Sequence, residues 1–138
     1  MIYIASPFFN DDEREALSYV ESTLRKRGFE IFSPREHEVR DEEAGSQEWC
    51  RKVFELDRDA IDHCDTVVVI YHGNYSDSGT AWECGYAHGK GKRIVAVQLG
   101  NDSNLMIHES VCANIPLKEL ETYDFSEMPR KKYTGISF

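Results

Sequence analysis

The sequence lacks any long apolar segment, since its most apolar run, residues 66–71, is six residues long. A helix that crosses a bilayer needs about 20 mainly apolar residues. Residues 1–6 are too short and too poor in basic side chains for a secretory leader, and they indicate a first strand instead. We therefore expect a cytoplasmic protein with no membrane partner.

Positive charge is also scarce. The chain has 16 lysines and arginines against 25 acidic residues, which gives a net charge of -9. An acidic chain lacks the basic surface that binds the backbone of a nucleic acid. The composition therefore argues against a nucleic-acid polymer as partner, but it is compatible with a small nucleoside or nucleotide.

Metal-binding patterns are missing as well. The cysteines have no paired spacing of the metal type, so we predict four reduced, mostly buried thiols. They are Cys50, Cys64, Cys84 and Cys112. A metal-dependent hydrolase would need a cluster of histidines, and the candidates are too dispersed to predict one. These histidines are His63, His72, His88 and His108.

Strand and helix patterns alternate along the chain, whose 138 residues suffice for one domain over residues 1–138. We predict strands over residues 2–6, 29–32, 66–71, 93–98 and 112–116, and helical segments over 11–27, 47–63, 77–89, 104–109 and 117–121. Strands separated by helices favour right-handed crossovers and a parallel sheet. The predicted fold is α/β, a three-layer doubly wound domain of the flavodoxin-like or Rossmann-like type, with four or five parallel strands.

The most informative stretch begins at Asp77 and continues to residue 88. It follows the apolar strand after a short polar loop over residues 72–76, and Asp77 or Ser78 can cap the helix that starts there. Glu83 lies near the end of the second turn, beside small residues that let a ligand come close. These are Gly79, Ala81 and Gly85. In open α/β sheets, ligands bind at the carboxyl ends of the strands, where this helix begins.

Three acids, Asp57, Asp77 and Glu83, are predicted to meet at this edge of the sheet. A retaining glycosyl transfer needs one carboxylate to attack the anomeric carbon and another group to protonate the leaving group. The alternative is that Asp77 is only a helix cap and Glu83 only a surface residue. The spacing of these two residues, taken alone, favours that alternative.

A set of short motifs in the same order resembles the nucleoside 2-deoxyribosyltransferases. The set comprises Ile2-Tyr3-Ile4, Asp57, Asp77-Ser-Gly-x-x-x-Glu83-x-Gly-Tyr-Ala, a following Gly-Lys and Asn104-Leu-Met106. The resemblance covers nearly the whole chain. It implies an enzyme that moves 2-deoxyribose from one nucleobase to another, and it implies no metal and no organic cofactor.

The resemblance also assigns roles to individual residues. It makes Glu83 the nucleophile at C1′ and Tyr3 the hydrogen-bond donor that holds this carboxylate. It makes Asp57 the proton donor and acceptor beside the base, and it places Asp77 at the 5′ side of the sugar or at the base edge. Without the resemblance, Tyr3 is more simply a strand aromatic and Asp57 an exposed helix acid.

The resemblance further implies a homo-oligomer, dimer-based and up to a hexamer, with shared sites. Asn104 would bind the 5′-hydroxyl from a neighbouring subunit, with Met106 lining that pocket, although core packing explains Met106 equally well. The tail, with the C-terminal carboxylate, is expected near the site.

The base pocket departs from the family pattern. Better-known members carry an amide in the loop after the second strand, and here that loop, residues 33–46, holds His37 and Glu38 as candidates for base contact. Phe8 and Phe9 are predicted to wall the pocket by stacking, and packing in the core or at an interface is the alternative.

Two other functions fit parts of the sequence. A sister family hydrolyses 2′-deoxynucleoside 5′-monophosphates at the same bond, with serines at the positions of Asp77 and Asn104. An aspartate would repel a phosphate dianion at close range, so Asp77 favours a free 5′-hydroxyl. The same fold also serves non-catalytic nucleotide sensors, but a sensor needs no nucleophile with its own hydrogen-bond donor.

Overall fold

A computed structural model describes residues 1–74 and 77–138. Residues 75 and 76 of the loop predicted over 72–76 lie outside the described part. The strands are β1 (Ile2–Ala5), β2 (Ile31–Phe32), β3 (Thr66–Tyr71), β4 (Arg93–Gln98), β5 (Asp102–Ser103), β6 (Ala113–Pro116) and β7 (Ile136–Ser137). The α-helices are α1 (Asp11–Lys26), α2 (Gln47–His63), α3 (Ser78–Gly89) and α4 (Leu105–His108), with 3₁₀ turns at Pro34–Glu36 and Leu117–Glu121.

Five strands form one sheet in the order β2-β1-β3-β4-β6. All four pairings in this sheet are parallel, which confirms the predicted three-layer fold of the flavodoxin-like type. The chain runs outward from β1 in one direction to β2 and in the other direction to β3. Such a reversal of strand order opens a crevice at the carboxyl ends of the two strands.

The core lies on both faces of the sheet, because successive strand residues point to opposite sides. Ile2 and Ile4 pack with α1 on one face, whereas Tyr3 and Ala5 pack with α2, α3 and α4 on the other. All six residues of β3 are buried. This explains why the strand is a continuous apolar run rather than an alternating one.

Capping residues fix where the helices start, and these starts position the loops of the site. Asn10 and Glu13 form a reciprocal capping box at the start of α1. At α3, the side chain of Asp77 accepts a hydrogen bond from the Thr80 amide, so of the two predicted candidates Asp77 is the cap, and Ser78 is the first helical residue. Asn104 caps α4 in the same way, through the Met106 amide.

Strand β2 is shorter than the strand predicted over residues 29–32. Gly28 takes a left-handed backbone conformation, with φ of 87°. The Gly28 amide donates a hydrogen bond to the carbonyl of Arg25, and the Phe29 amide donates one to the carbonyl of Leu24. The Phe29 amide thus completes the end of α1 and is not available to the sheet. The strand therefore begins two residues later.

The tail contains a strand that the sequence pattern did not predict. β7 pairs with β5 in a small parallel sheet. The Leu105 amide donates a hydrogen bond to the backbone oxygen of Phe138 at 2.7 Å. The C-terminal residue is therefore fixed beside the start of α4. Two-residue strands carry no periodicity that a sequence could reveal.

The two remaining expectations concern membrane-spanning helices and the state of the cysteines. None of the helices in residues 1–74 and 77–138 is long and apolar enough to cross a bilayer. All four cysteines are free, with Cys64 and Cys84 buried and Cys50 exposed. The prediction of unpaired thiols is thus confirmed, whereas their burial is confirmed for only part of the set.

Candidate active site

A cavity of about 580 Å³ opens at the carboxyl edge of the sheet. Its walls come from the loop after β1, the segment after β2, and the facing sides of α2 and α3. Seven predicted site residues line it, namely Phe8, Phe9, His37, Glu38, Asp57, Asp77 and Glu83. The fold therefore brings together residues that are up to 75 positions apart in the sequence, from Phe8 to Glu83.

The hydroxyl of Tyr3 donates a hydrogen bond to the carboxylate of Glu83. Tyr3 is fully buried in β1. Helix α3 packs on the same face of the sheet, which brings the Glu83 side chain into contact with the Tyr3 hydroxyl. Burial, together with the negative charges of Glu83 and Asp57, raises the pKa of Tyr3 far above its usual value. The phenol therefore keeps its proton and acts only as a donor.

Two carboxyl groups in the cavity hold their protons to unusually high pH. Burial raises the pKa of Asp57 to about 6. The pKa of Glu83 is raised to about 8, mainly by burial and further by the charges of Asp57 and Asp77, while the bond from Tyr3 opposes the shift. Between about pH 6 and about pH 8, the pair therefore carries one proton.

The Asp77 side chain makes hydrogen bonds within its own helix start and also lines two cavities. One carboxylate oxygen accepts hydrogen bonds from the amide and the hydroxyl of Thr80, both at 2.8 Å. The same side chain lines the main cavity and also a second cavity of about 460 Å³. Asp77 is therefore both a helix cap and a wall between two spaces.

Asn104 and Met106 line the second cavity, not the main one. The Asn104 side chain accepts from the Met106 amide at 2.9 Å and donates to Asn74 at 3.0 Å. Met106 is 72% exposed. Within one chain, the fold thus leaves these two predicted residues on the far side of Asp77 from Glu83.

Gly79 lies on the other flank of the nucleophile candidate. It lines a shallow pocket of about 340 Å³ together with Asp57 and Glu83. Arg58 also lines this pocket, together with Phe54 and Trp82, which are both nearly half exposed. Gly79 is therefore next to the two acids, although it does not line the main cavity.

Stacked aromatic rings lie in the lining of the main cavity and directly behind it. The ring of His37 stacks on Phe32, with centroids 4.1 Å apart, and Phe32 stacks on Tyr3 at 5.7 Å. Phe8 and Phe9 lie parallel to each other at 6.0 Å. Flat rings at the mouth and along the side of the cavity suit a flat heterocycle.

Sequence reasoning missed the other eight lining residues, among them Arg35, Trp49 and Val53. A signal for two of them was present, because Trp49, Val53 and Asp57 are spaced four apart. On a helix, this spacing places side chains on one face. Trp49 and Val53 thus belong to the same wall as the acid that follows them. Arg35 had no such signal, since it lies in an irregular segment.

The histidines are dispersed over separate contacts. His63 bonds the carbonyl of Asp59 at 2.7 Å, and His88 bonds the carbonyl of Ser110 at 3.0 Å. Among the residues that the structure describes, no group of three or more His, Cys, Asp or Glu side chains could hold a metal ion.

Comparison with known proteins gives a consistent result. The family model for nucleoside 2-deoxyribosyltransferase matches residues 2–114. A solved 2-deoxyribosyltransferase from Bacillus psychrosaccharolyticus is 39% identical, over 96% of this chain and 98% of its own, with a TM-score of 0.90. No curated protein sequence matches significantly.

Two more distant structures share the fold alone. A 2-desoxiribosyltransferase from Leishmania mexicana is 24% identical over 70% of this chain and 63% of its own, with a TM-score of 0.54. A conserved protein from Enterococcus faecalis V583 is 22% identical over 70% of this chain and 61% of its own, with a TM-score of 0.56.

Replacing Glu83 with glutamine should stabilise the fold, and more so at high pH. Because burial raises the pKa of Glu83 from 4.5 to about 8, the folded protein binds a proton that the unfolded chain releases. Stability therefore falls as the pH rises through that window. Glutamine still accepts from Tyr3 but carries no charge, so we expect a gain on the order of 2 kcal/mol at about pH 9 and little at about pH 4.

Thermal melts at the two pH values measure this effect. Glu15→Gln, at an exposed position of α1, is the matched control and should melt like the wild type at both. A gain for Glu83→Gln that is the same at both pH values would contradict the assigned cause.

Proposed function

The chain belongs to the nucleoside 2-deoxyribosyltransferase family, and on that basis we propose that it transfers 2-deoxyribose from one nucleobase to another. One observation carries the proposal. The carboxylate of Glu83 faces a nucleoside-sized cavity while the buried phenol of Tyr3 holds it. Its substrates are deoxynucleosides and free nucleobases.

In the first step, a carboxylate oxygen of Glu83 attacks C1′ of the bound deoxynucleoside. The bond from C1′ to the base nitrogen breaks, and its electron pair leaves with the base. The carboxyl proton of Asp57 passes to that base. The products are a deoxyribosyl ester on Glu83, a neutral base and an ionised Asp57.

In the second step, a nitrogen of the incoming base attacks C1′ from the face that the first base left. The ester bond breaks and returns the electron pair to Glu83, while the ionised Asp57 takes the proton from the attacking base. Two inversions at C1′ give net retention, so the product is again a β-nucleoside.

Tyr3 supports the nucleophile without neutralising it. As a neutral donor it fixes one carboxylate oxygen and leaves the other for attack. A cation in its place would lower the pKa of Glu83 and weaken it as a nucleophile. We assign to Tyr3 the orientation of Glu83, since its raised pKa keeps it a donor throughout the reaction.

The remaining lining residues divide between base and sugar. We assign base contacts to Phe8, Phe9, His37 and Glu38, which line the main cavity. Asp77, at the boundary of the two cavities, is assigned to the sugar with its free 5′-hydroxyl. Close approach of the substrate to α3 is assigned to Gly79.

We further propose that the active form is a homo-oligomer with shared sites. Asn104 and Met106 line a cavity separate from that of Glu83. The large exposed side chains of Leu105 and Met106 beside Asn104 suit a contact with a second subunit. A neighbour's Asn104 would then complete the 5′ side of the site.

A transfer assay tests the reaction. The protein is incubated with a deoxynucleoside and a different free base, and in parallel with the matching 5′-monophosphate, and chromatography separates the products. We expect a new β-deoxynucleoside in the first mixture. Glu83→Gln should lower the rate by about 10³-fold or more because the nucleophile is lost.

Glu15→Gln is again the control and should keep wild-type activity. Near-normal turnover by Glu83→Gln would refute its role as nucleophile. Release of free base from the monophosphate alone, with no transfer, would identify a hydrolase instead.

The dependence of kcat/KM on pH should be bell-shaped. Reaction needs Glu83 ionised and Asp57 protonated. Because Glu83 has the higher pKa, the one proton of the pair lies mostly on Glu83 in the free protein, and the reactive arrangement, with the proton on Asp57, is the minor tautomer of the same one-proton form. The rate should therefore rise as the pH passes about 6 and fall as it passes about 8. A rate that stays level between about pH 5 and about pH 9 would contradict this assignment.

Mixing inactive variants tests the shared site. Glu83→Gln and Asn104→Ala are combined after mild dissociation and reassembly, with each variant reassembled alone as control. Because a mixed oligomer contains some sites with both residues intact, activity should reappear in the mixture only. A fully active monomer in sedimentation at the assay concentration would exclude a shared site.

A further inference from the structure

The wall that carries His37 has little regular structure of its own. Strand β2 has two residues, the following 3₁₀ turn has three, and residues 37–46 form neither helix nor strand. Even so, Arg35, His37 and Glu38 from this segment line the cavity. Some contact outside the sheet must therefore hold the segment in place.

The buried one among such contacts is made by the carboxylate of Glu21, a residue of α1 that is 5% exposed. One of its oxygens accepts from the Ser33 hydroxyl at 2.6 Å and from Nε of Arg35 at 3.1 Å. The other oxygen accepts from Nη2 of Arg35. Two parallel bonds between a guanidinium and a carboxylate fix the orientation of both groups.

The same pair decides where the positive charge of Arg35 lies. Nη2 also donates to the hydroxyl of Ser18 on α1, at 3.0 Å, so the guanidinium is directed along α1. The cavity next to Arg35 contains Asp57 and Glu83. A guanidinium released from Glu21 would be attracted to those carboxylates and would enter the space of the base.

We propose that Glu21 is a positioning residue that sets the affinity for the incoming base by fixing Arg35 and, through it, the wall formed by residues 33–38. The inference rests on the proposed function, since it concerns the base side of that site. Glu21 itself lies behind the wall, so it acts through Arg35 and not by touching the substrate.

A second ion pair between the same two elements serves as the comparison. Arg25 on α1 bonds Glu36 of the 3₁₀ turn at 2.6 Å, but both side chains are more than one-third exposed. Exposed pairs contribute little to stability, whereas removing one partner of a buried pair leaves an uncompensated charge. Glu36→Gln is therefore the matched control for Glu21→Gln.

The test measures the KM of the acceptor base and kcat for wild type, Glu21→Gln and Glu36→Gln, with adenine and with thymine as acceptors. We expect Glu21→Gln to raise KM by about tenfold while kcat changes by less than about twofold, because binding must now order the wall. Glu36→Gln should match the wild type. A purely structural role for Glu21 would lower the active fraction and hence kcat, not KM.

Amide hydrogen exchange gives a readout that does not depend on turnover. Exchange in residues 33–39 should become faster in Glu21→Gln and remain unchanged in Glu36→Gln, while the amides of β3 and β4 keep their protection. Unchanged exchange and unchanged KM in a folded Glu21→Gln variant would overturn the proposal.

Glu21→Gln leaves Arg35 without its partner and can unfold the protein. The double variant Glu21→Gln/Arg35→Gln removes both charges together, and it should fold and show the same rise in KM. A double variant with wild-type KM would overturn the proposal. If the wild type itself transfers no deoxyribose, the proposed function fails, whereas an active wild type with an unaffected Glu21→Gln contradicts only this inference.

Discussion

The hydrogen bond from the Tyr3 hydroxyl to the Glu83 carboxylate is the interaction on which the site depends. Burying an acid normally requires a cation nearby or the loss of its charge. Here the partner is a neutral phenol, and among the described residues the pKa of Glu83 is shaped by burial, by Tyr3 and by two other acids. The side chain of Glu83 is thus held in place without a cation, and its raised pKa makes it a strong base when ionised, as the role proposed for it requires.

The fold delivers this pair through two independent elements. Tyr3 is fixed by the sheet, because β1 pairs on both sides and its side chain lies under the helices. Glu83 is fixed by α3, whose start is set by the Asp77 cap. Since strand and helix each have their own structural support, the bond between them needs no loop to maintain it. Loops contribute only to the walls of the cavity, where we propose that the base binds.

The sequence predicted the parts of the molecule that depend on local patterns. The bounds of α2, β3 and β4 followed from periodicity and β-branched runs, and the acidic edge followed from the order of motifs. Other features depend on contacts between distant residues. Strand β7 pairs with β5, and the Glu21 carboxylate binds the Arg35 guanidinium. Each contact joins two segments that are distant in the sequence and share no residue pattern, so a single sequence could not reveal it. The second cavity, around Asn104, likewise depends on how distant segments pack together, and residue spacing along the sequence could not predict it.

The four carboxylate side chains that line the cavity, Glu38, Asp57, Asp77 and Glu83, have a consequence for the ligands it prefers. Among the described residues, Arg35 is the one arginine that lines the cavity, and its guanidinium is paired with Glu21, so the electrostatic potential at the position proposed for the sugar is negative. In the proposed reaction, the anomeric carbon takes on oxocarbenium character as the bond to the base stretches, and this potential would stabilise the growing positive charge. A five-membered ring with a protonated nitrogen in place of the anomeric carbon carries that charge permanently. Cationic pyrrolidines should therefore be better starting points for inhibitors than neutral nucleoside analogues.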